Sequence, residues 1–337
     1  MPLRPPAGFI SAFYVPTPPY GGVWNLVAVY QAVAQANWPG QPNPVGLFGG
    51  GQTSIRSNVI QYIQITSTGN SLDFGDLTIA RDGLSGCSSS IRGIFSGGGT
   101  SGGASNVIDY VTIASVGNAI DFGDLTIARF DLSACSSSTR GLFAAGSFPL
   151  RNVIDYITIA SVGNAIDFGD LRTPVYQNAA CSSTTRGLFA GGDAGSGTIL
   201  LAIDFVTIST TGNSTNFGNL VGRRSGLTGC SSSTRGLFAG GSNDVGAVQI
   251  GIQFVTIATT GNATSFGDLS AARFFLASCS SQLRGVFGGG RNAAGSRVNI
   301  IEFVTIASAG NAVDFGDLLE TTDALAACSN AHGGLQP

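Results

Sequence analysis

The chain copies itself every 46–49 residues, and this constrains its fold more than any other feature. The triplet Phe-Gly-Asp begins at Phe74, Phe122, Phe168, Phe266 and Phe315, with a near-copy, Phe-Gly-Asn, at Phe217. The pair Gly-Asn precedes each copy, at Gly69-Asn70, Gly117-Asn118, Gly163-Asn164, Gly212-Asn213, Gly261-Asn262 and Gly310-Asn311. One cysteine falls in each period: Cys87, Cys135, Cys181, Cys230, Cys279 and Cys328. Fixed self-similarity over such a period is the signature of a repeat architecture. No period shows a helical pattern. In repeat two, four strands are read: Leu132–Ser136, Gly141–Ala144, Ile108–Ala114 and Ile120–Leu125. The third is rich in β-branched and aromatic residues, and Gly-Asn before the fourth is a hairpin-turn signal. Four strands in about 48 residues suit one propeller blade. Six copies predict an all-β, six-bladed propeller.

Apolar strands ending in a Gly pair (Phe48-Gly49-Gly50, Phe189-Ala190-Gly191-Gly192, Phe238-Ala239-Gly240-Gly241) are followed by an aromatic in the next strand: Tyr62, Tyr110, Tyr156, Phe205, Phe254 and Phe303. This arrangement resembles kelch repeats over residues 46–335, with Phe where kelch repeats usually carry Trp in the fourth strand. The resemblance implies the fold and says little about activity. The ends are out of phase. The first repeat opens at Val45-Gly46-Leu47-Phe48 with no Cys strand before it, and the last complete strand, Ala326–Ser329, is a Cys strand. Six of each element exist only if that strand completes the first blade, pairing beside Leu47–Gly50 and removing an open edge.

Residues 1–45 lie outside the repeat, leaving 46–337 to the propeller. Pro2, Pro5, Pro6, Pro16, Pro18 and Pro19 favour extended chain. Val23–Ala36 is read as a short helix between Gly22 and Pro39. Trp24, Tyr30 and Trp38 give this arm a large apolar surface, including both tryptophans of the chain. They mark it as an anchoring segment, because exposed aromatics favour interfaces.

Composition narrows the function classes. All 16 basic residues are Arg, and net charge is −3 with no basic run. A nucleic-acid surface is not expected. No stretch reaches 18 apolar residues, so no membrane insertion is expected either. The opening Met1–Phe9 lacks a signal-peptide core, which suggests synthesis in a cytosol.

The six cysteines occupy equivalent places and form a ring. Equivalent strands around an axis lie too far apart for disulfides, so reduced, buried thiols are expected. With no Cys-x-x-Cys and a single histidine, His332, no metal or cofactor is expected. The Asp set Asp76, Asp124, Asp170, Asp268 and Asp317 and the Arg set Arg92, Arg140, Arg186, Arg235 and Arg284 recur at fixed points. They predict structural ion pairs or turn hydrogen bonds. His332 falls in a tail expected to fray, and no Lys is available as a base. Catalysis is therefore not expected.

The opening Met1–Ile10, the segment Gly22-Val23-Trp24-Asn25-Leu26 and Asn37-Trp38-Pro39 resemble virion structural proteins of tailed phages, cyanophages especially. So do the recurrent Thr-Ile-Ala-Ser-x-Gly-Asn and Cys-Ser-Ser-Ser-Thr-Arg-Gly. This resemblance implies a non-enzymatic virion protein of the tail, tail fibre or another appendage, assembled in host cytoplasm. Residues 1–45 would meet other virion proteins. The propeller would serve assembly contacts or attachment to a host surface glycan or receptor, as one copy or as a homo-oligomer. Two other classes stay open: a free lectin-like glycan-binding propeller and a glycan hydrolase. Alternating strand directions put the near-identical turns on one face and the varied loops on the other. Varied loops on a rigid frame are where recognition sits. This selects Arg56, Phe148, Tyr176, Asp193, Asn243, Asp244, Phe275 and Arg291 as candidate binding residues.

Overall fold

The computed structural model describes residues 43–335. They form six four-stranded antiparallel sheets around a central channel. From the channel outwards, the first blade holds Ala326–Ser329, Val45–Gly49, Val59–Gln64 and Leu72–Asp76. The second holds Ser85–Ser88, Arg92–Ser96, Val107–Thr112 and Ile120–Asp124. The remaining blades open on Ser133–Ser136, Ala179–Ser182, Ser225–Ser231 and Ala277–Ser280 and follow the same order. The four strands expected together in repeat two thus belong to two blades. The segments around Ile108 and Ile120 close the second, while those around Leu132 and Gly141 open the third. In the second to sixth blades the Cys strand leads because the chain enters the sheet at the channel and leaves it at the rim.

The expected closure is present. Ala326–Ser329 pairs antiparallel with the first strand, with Gly46 opposite Ser329 and Gly49 opposite Ala326. Residues 1–42, with the expected helix at Val23–Ala36 and the anchors Trp24, Tyr30 and Trp38, lie outside the described residues, while Val45, the last residue of the expected arm, begins the first strand.

Burial explains the strand sequences. The second strand of each blade is covered on both faces by neighbouring blades. It accordingly reads as a wholly buried run of small and apolar residues after an opening Arg, or Val45 in the first blade, as in Arg92–Ser96. Outer strands bury little beyond one Phe, as in Ile120–Asp124. The core lies between blades. One cluster joins Cys87, Ile94 and Phe122 of the second blade to Phe143, Ile157 and Ala165 of the third, and five others repeat this plan. Each fully buried Phe such as Phe143 contributes about 1.5–3 kcal/mol of transfer free energy. The third-strand aromatic meets the outer-strand Phe edge-on in all six blades, for example Tyr110 with Phe122 at 5.9 Å.

All six cysteines are free and buried at these seams. Each Sγ faces a glycine in the second strand of the next blade. Cys181 faces Gly236, where an added Cβ would sit 2.6 Å from the sulfur. The equivalent pairs run Cys87–Gly141, Cys135–Gly187, Cys230–Gly285, Cys279–Gly46 and Cys328–Gly93.

Candidate functional site

The repeated polar residues form interblade rings. Each Gly-Asn asparagine accepts, through Oδ1, the backbone N–H of the third residue of the preceding Phe-Gly-Asp. This runs from Asp76 to Asn118 around to Asp317 and Asn70, always at 3.0 Å. The intervening Gly75, at φ +143°, leaves 2.5 Å between a would-be Cβ and Gly117 O, so the blades touch backbone to backbone.

The two recurrent charged sets do not pair with each other. Among the described residues, none of the ion pairs joins them. Instead, Arg92 lies 4.7 Å over the Tyr110 ring and donates to Ile159 O of the next blade at 2.8 Å. Arg140, Arg186, Arg235 and Arg284 do likewise.

The buried ion pairs use other arginines. Arg81 meets Asp109 at 2.8 Å and Arg129 meets Asp155 at 3.1 Å, with all four side chains fully buried. Arg273 pairs with Glu302. Their carboxylates also accept backbone N–H groups of the preceding blade, at Thr78, Thr126 and Ser270. In the first blade Gln61 does the same for Leu319, and the cation is replaced by Thr322. Arg81, Arg129, Arg224 and Arg273 each stand seven residues after their Phe, a signal present in the sequence but masked by the more regular Arg92 series.

The channel is lined by the innermost strands. Ser88, Ser136, Ser182, Ser231, Ser280 and Ser329 form a closed ring in which each hydroxyl donates to the carbonyl of the preceding serine at 2.6–2.8 Å. The C-terminal segment, expected to fray, crosses the channel at this ring. Gly333 N donates to Ser231 O at 2.9 Å, and Gln282 Nε2 donates to His332 O at 3.1 Å. A Cβ on Gly334 would meet Ser136 O at 1.8 Å, so only glycine fits. His332 Nδ1 accepts from Gly334 N, which leaves Nε2–H to donate to Ser88 O at 3.2 Å. Burial lowers the imidazole pKa from 6.5 to about 4.

At the opposite end the channel opens among the varied loops, into a cavity of about 120 Å³. Its mouth is a second closed ring. Gly83, Asp131, Gln177, Gly226, Phe275 and Ala324, one per blade, pass a backbone N–H to the preceding carbonyl at 2.7–2.9 Å around the full circle. All six have φ between 52° and 63°. Gly83 and Gly226 tolerate this freely, whereas the four others each carry a side chain at a cost of about 1–2 kcal/mol. Two ring positions lie between Asp131 and Phe275 in either direction, so the two residues occupy opposite points of the mouth, the Asp131 carboxyl beside Gly83 and the Phe275 ring beside Gly226. Gln177 Nε2 donates to Asp131 Oδ2 at 3.1 Å. Burial raises the Asp131 carboxyl from 3.8 to about 6, with Gln177 opposing that shift. Among the described residues, no basic residue lines the cavity.

The loop between the second and third strands of a blade pairs with the segment that enters the same blade, through bridges such as Tyr176–Asp193 and Phe130–Ser147. Of the eight candidate residues, five are engaged in this loop framework. Tyr176 OH donates to Asp193 Oδ2 at 3.0 Å, and Asp193 Oδ1 accepts from Gly195 N at 2.7 Å. Arg291 pairs with Asp323 at 2.6 Å and Arg56 with Asp82 at 2.7 Å. Asn243 Oδ1 accepts from Val245 N and Ala247 N. Phe148 is 68% exposed, with its ring 6.2 Å from Phe130, and Asp244 is exposed at a loop tip. Phe275 joins the mouth. Asp131 and Gln177 were not among the expected residues. They interrupt a Gly-like position, visible only once the turn conformation is known. No protein-family model matches this chain, and no curated protein matches it.

Proposed function

We propose that this chain is a non-enzymatic structural protein of a phage virion, a tail, tail-fibre or appendage component built on kelch-like blades. Its loop face meets a host-surface ligand or a neighbouring virion protein, and residues 1–45 hold it in the particle. One observation carries the binding half of this reading. The repeated polar side chains are occupied in interblade rings, while the sixfold pattern breaks on one face, where a closed backbone ring holds differing side chains. The virion half rests on the likeness of residues 1–10, 22–26 and 37–39 to phage structural proteins. The chemistry of the repeated groups supports binding over catalysis. Burial pushes the thiols of Cys135, Cys230 and Cys328 up to about 12, and the imidazole is tied to backbone groups.

Mass spectrometry of purified particles tests the assignment: the chain is expected among the structural proteins. A form lacking residues 1–40 is expected to fold and to be missing from particles. Absence of the full chain from particles, or hydrolysis of a glycan by the purified protein, defeats the proposal.

A further inference from the structure

Four of the six residues in the mouth ring keep a side chain in a backbone conformation that suits glycine, while Gly83 and Gly226 make the same backbone bonds without one and leave room for the Asp131 carboxyl and the Phe275 ring beside them. A side chain retained against backbone preference points to a use beyond folding. The four are not interchangeable: Asp131 and Gln177 are adjacent, Phe275 stands opposite, and Ala324 is small. The cavity beneath them is bordered by Gly86, Ala134, Ala180, Gly229 and Ala327, which narrow it without adding charge.

We propose that this mouth binds one uncharged sugar residue at the end of a glycan, with vicinal hydroxyls donating to the Asp131 carboxylate and Gln177 Oε1 and an apolar ring face against Phe275. This deepens the reading of the loop face as host-directed and rests on it. The polar side of the mouth is rich in acceptors. Gln177 already spends an N–H on Asp131, so its carbonyl oxygen and the carboxylate face donors. Paired hydroxyl groups supply two donors at that spacing, and a pyranose presents C–H groups on its opposite face. With no basic residue in the lining and a carboxylate at the rim, sialic and uronic acids are repelled. The volume of about 120 Å³ holds part of one sugar unit and no longer segment.

The test uses the full-length chain and saturation-transfer NMR with methyl glycosides of glucose, galactose, mannose, N-acetylglucosamine and N-acetylgalactosamine. Sialic acid, glucuronic acid and Nα-acetyl-lysine amide are the contrasting probes. At least one neutral glycoside is expected to bind. Phe275→Gly and Asp131→Gly are each expected to weaken it about tenfold or more, with a melting temperature equal to or above that of the parent, because glycine relieves the backbone. Failure of every neutral glycoside to bind, binding unaltered by both variants, or a preference for the acidic sugars or the lysine derivative overturns the proposal. Particle mass spectrometry keeps the two readings separate: a chain found in particles whose mouth binds no sugar refutes only the site. A glycoside-binding chain absent from particles refutes only the virion assignment.

Discussion

The seam between Cys181 and Gly236 allows the blade-to-blade fit to be measured. In Gly236→Ala the new Cβ lies 2.6 Å from Cys181 Sγ, about 1 Å inside ordinary van der Waals contact. The next neighbours, Val255 Cγ2 at 3.4 Å and Ile257 Cγ1 at 3.6 Å, are ordinary contacts, so the clash rests on one atom. Gly236 sits mid-strand opposite Val255 and Ser231, without the left-handed backbone that would add strain. Over-packing of this kind costs about 1–3 kcal/mol. Cys181→Ala alone removes one buried heavy atom and is expected to cost about 1 kcal/mol. In the double variant the alanine methyl at 236 occupies space vacated by sulfur. The pair is expected to cost less than the sum of the singles by about 1–2 kcal/mol. Equilibrium urea unfolding of the four proteins, at unchanged m-value, gives this coupling. Additivity to within about 0.5 kcal/mol would show that sulfur and glycine are not interlocked and would refute the argument for all six seams.

The six thiols are expected to be unreactive towards an aromatic disulfide reagent in the native protein at neutral pH and fully reactive in denaturant, since burial holds them protonated; rapid labelling of the native chain would contradict this. His332, the sole histidine, is expected to titrate near 4 as the Nε2–H tautomer in ¹⁵N NMR. Because its folded pKa lies below the ordinary 6.5, the unfolded chain takes up the proton first as pH falls. The stability tied to the neutral ring is complete above 6.5 and is lost between 6.5 and about 4; a normal titration near 6.5 would mean the tail does not occupy the channel. Asn178 stands where other blades have Leu84, Leu132, Leu227, Leu276 and Leu325, with both amide atoms buried and unpartnered. Asn178→Leu is expected to raise stability by about 1–3 kcal/mol, and a lower melting temperature would count against it. Removing residues 322–337 is expected to abolish cooperative folding, whereas removing 331–337 should leave the fold and open the channel; equal melting of both would be inconsistent with strand closure.

Blade count, closure and the free thiols were legible in the sequence because each follows from counting equivalent positions. Phase alone placed Ala326–Ser329 beside Leu47–Gly50, one residue from the observed partners Gly46–Gly49. Partnerships between blades were not legible. The spacing of Asp76 and Arg92 is regular, but regularity says nothing about partners: the backbone N–H of Asp76 bonds Asn118 of the next blade, and the Arg92 guanidinium bonds Ile159 O of another. The role of Gly-Asn was half visible: the turn is local, while the bond from Asn118 to Asp76 N spans 42 residues. His332 was misplaced because the two glycines that follow it look like a loose end. They serve instead to let the backbone pass within the serine ring. On the loop face, chemistry was readable and orientation was not. Arg291 and Asp193 have the composition of contact residues, yet they brace their own loops.

The first blade also bears on biosynthesis. Val45 and Asn330, bonded through Asn330 Oδ1, are 285 residues apart, so the partner of the first strand is translated after nearly all the rest of the propeller. Until then Val45–Gly49 keeps an open inner edge, and a chain terminated before residue 326 can never cover it. Closure of the ring therefore waits on the strand of the propeller that is translated last among the described residues. The same edge accepts an identical strand from a second copy.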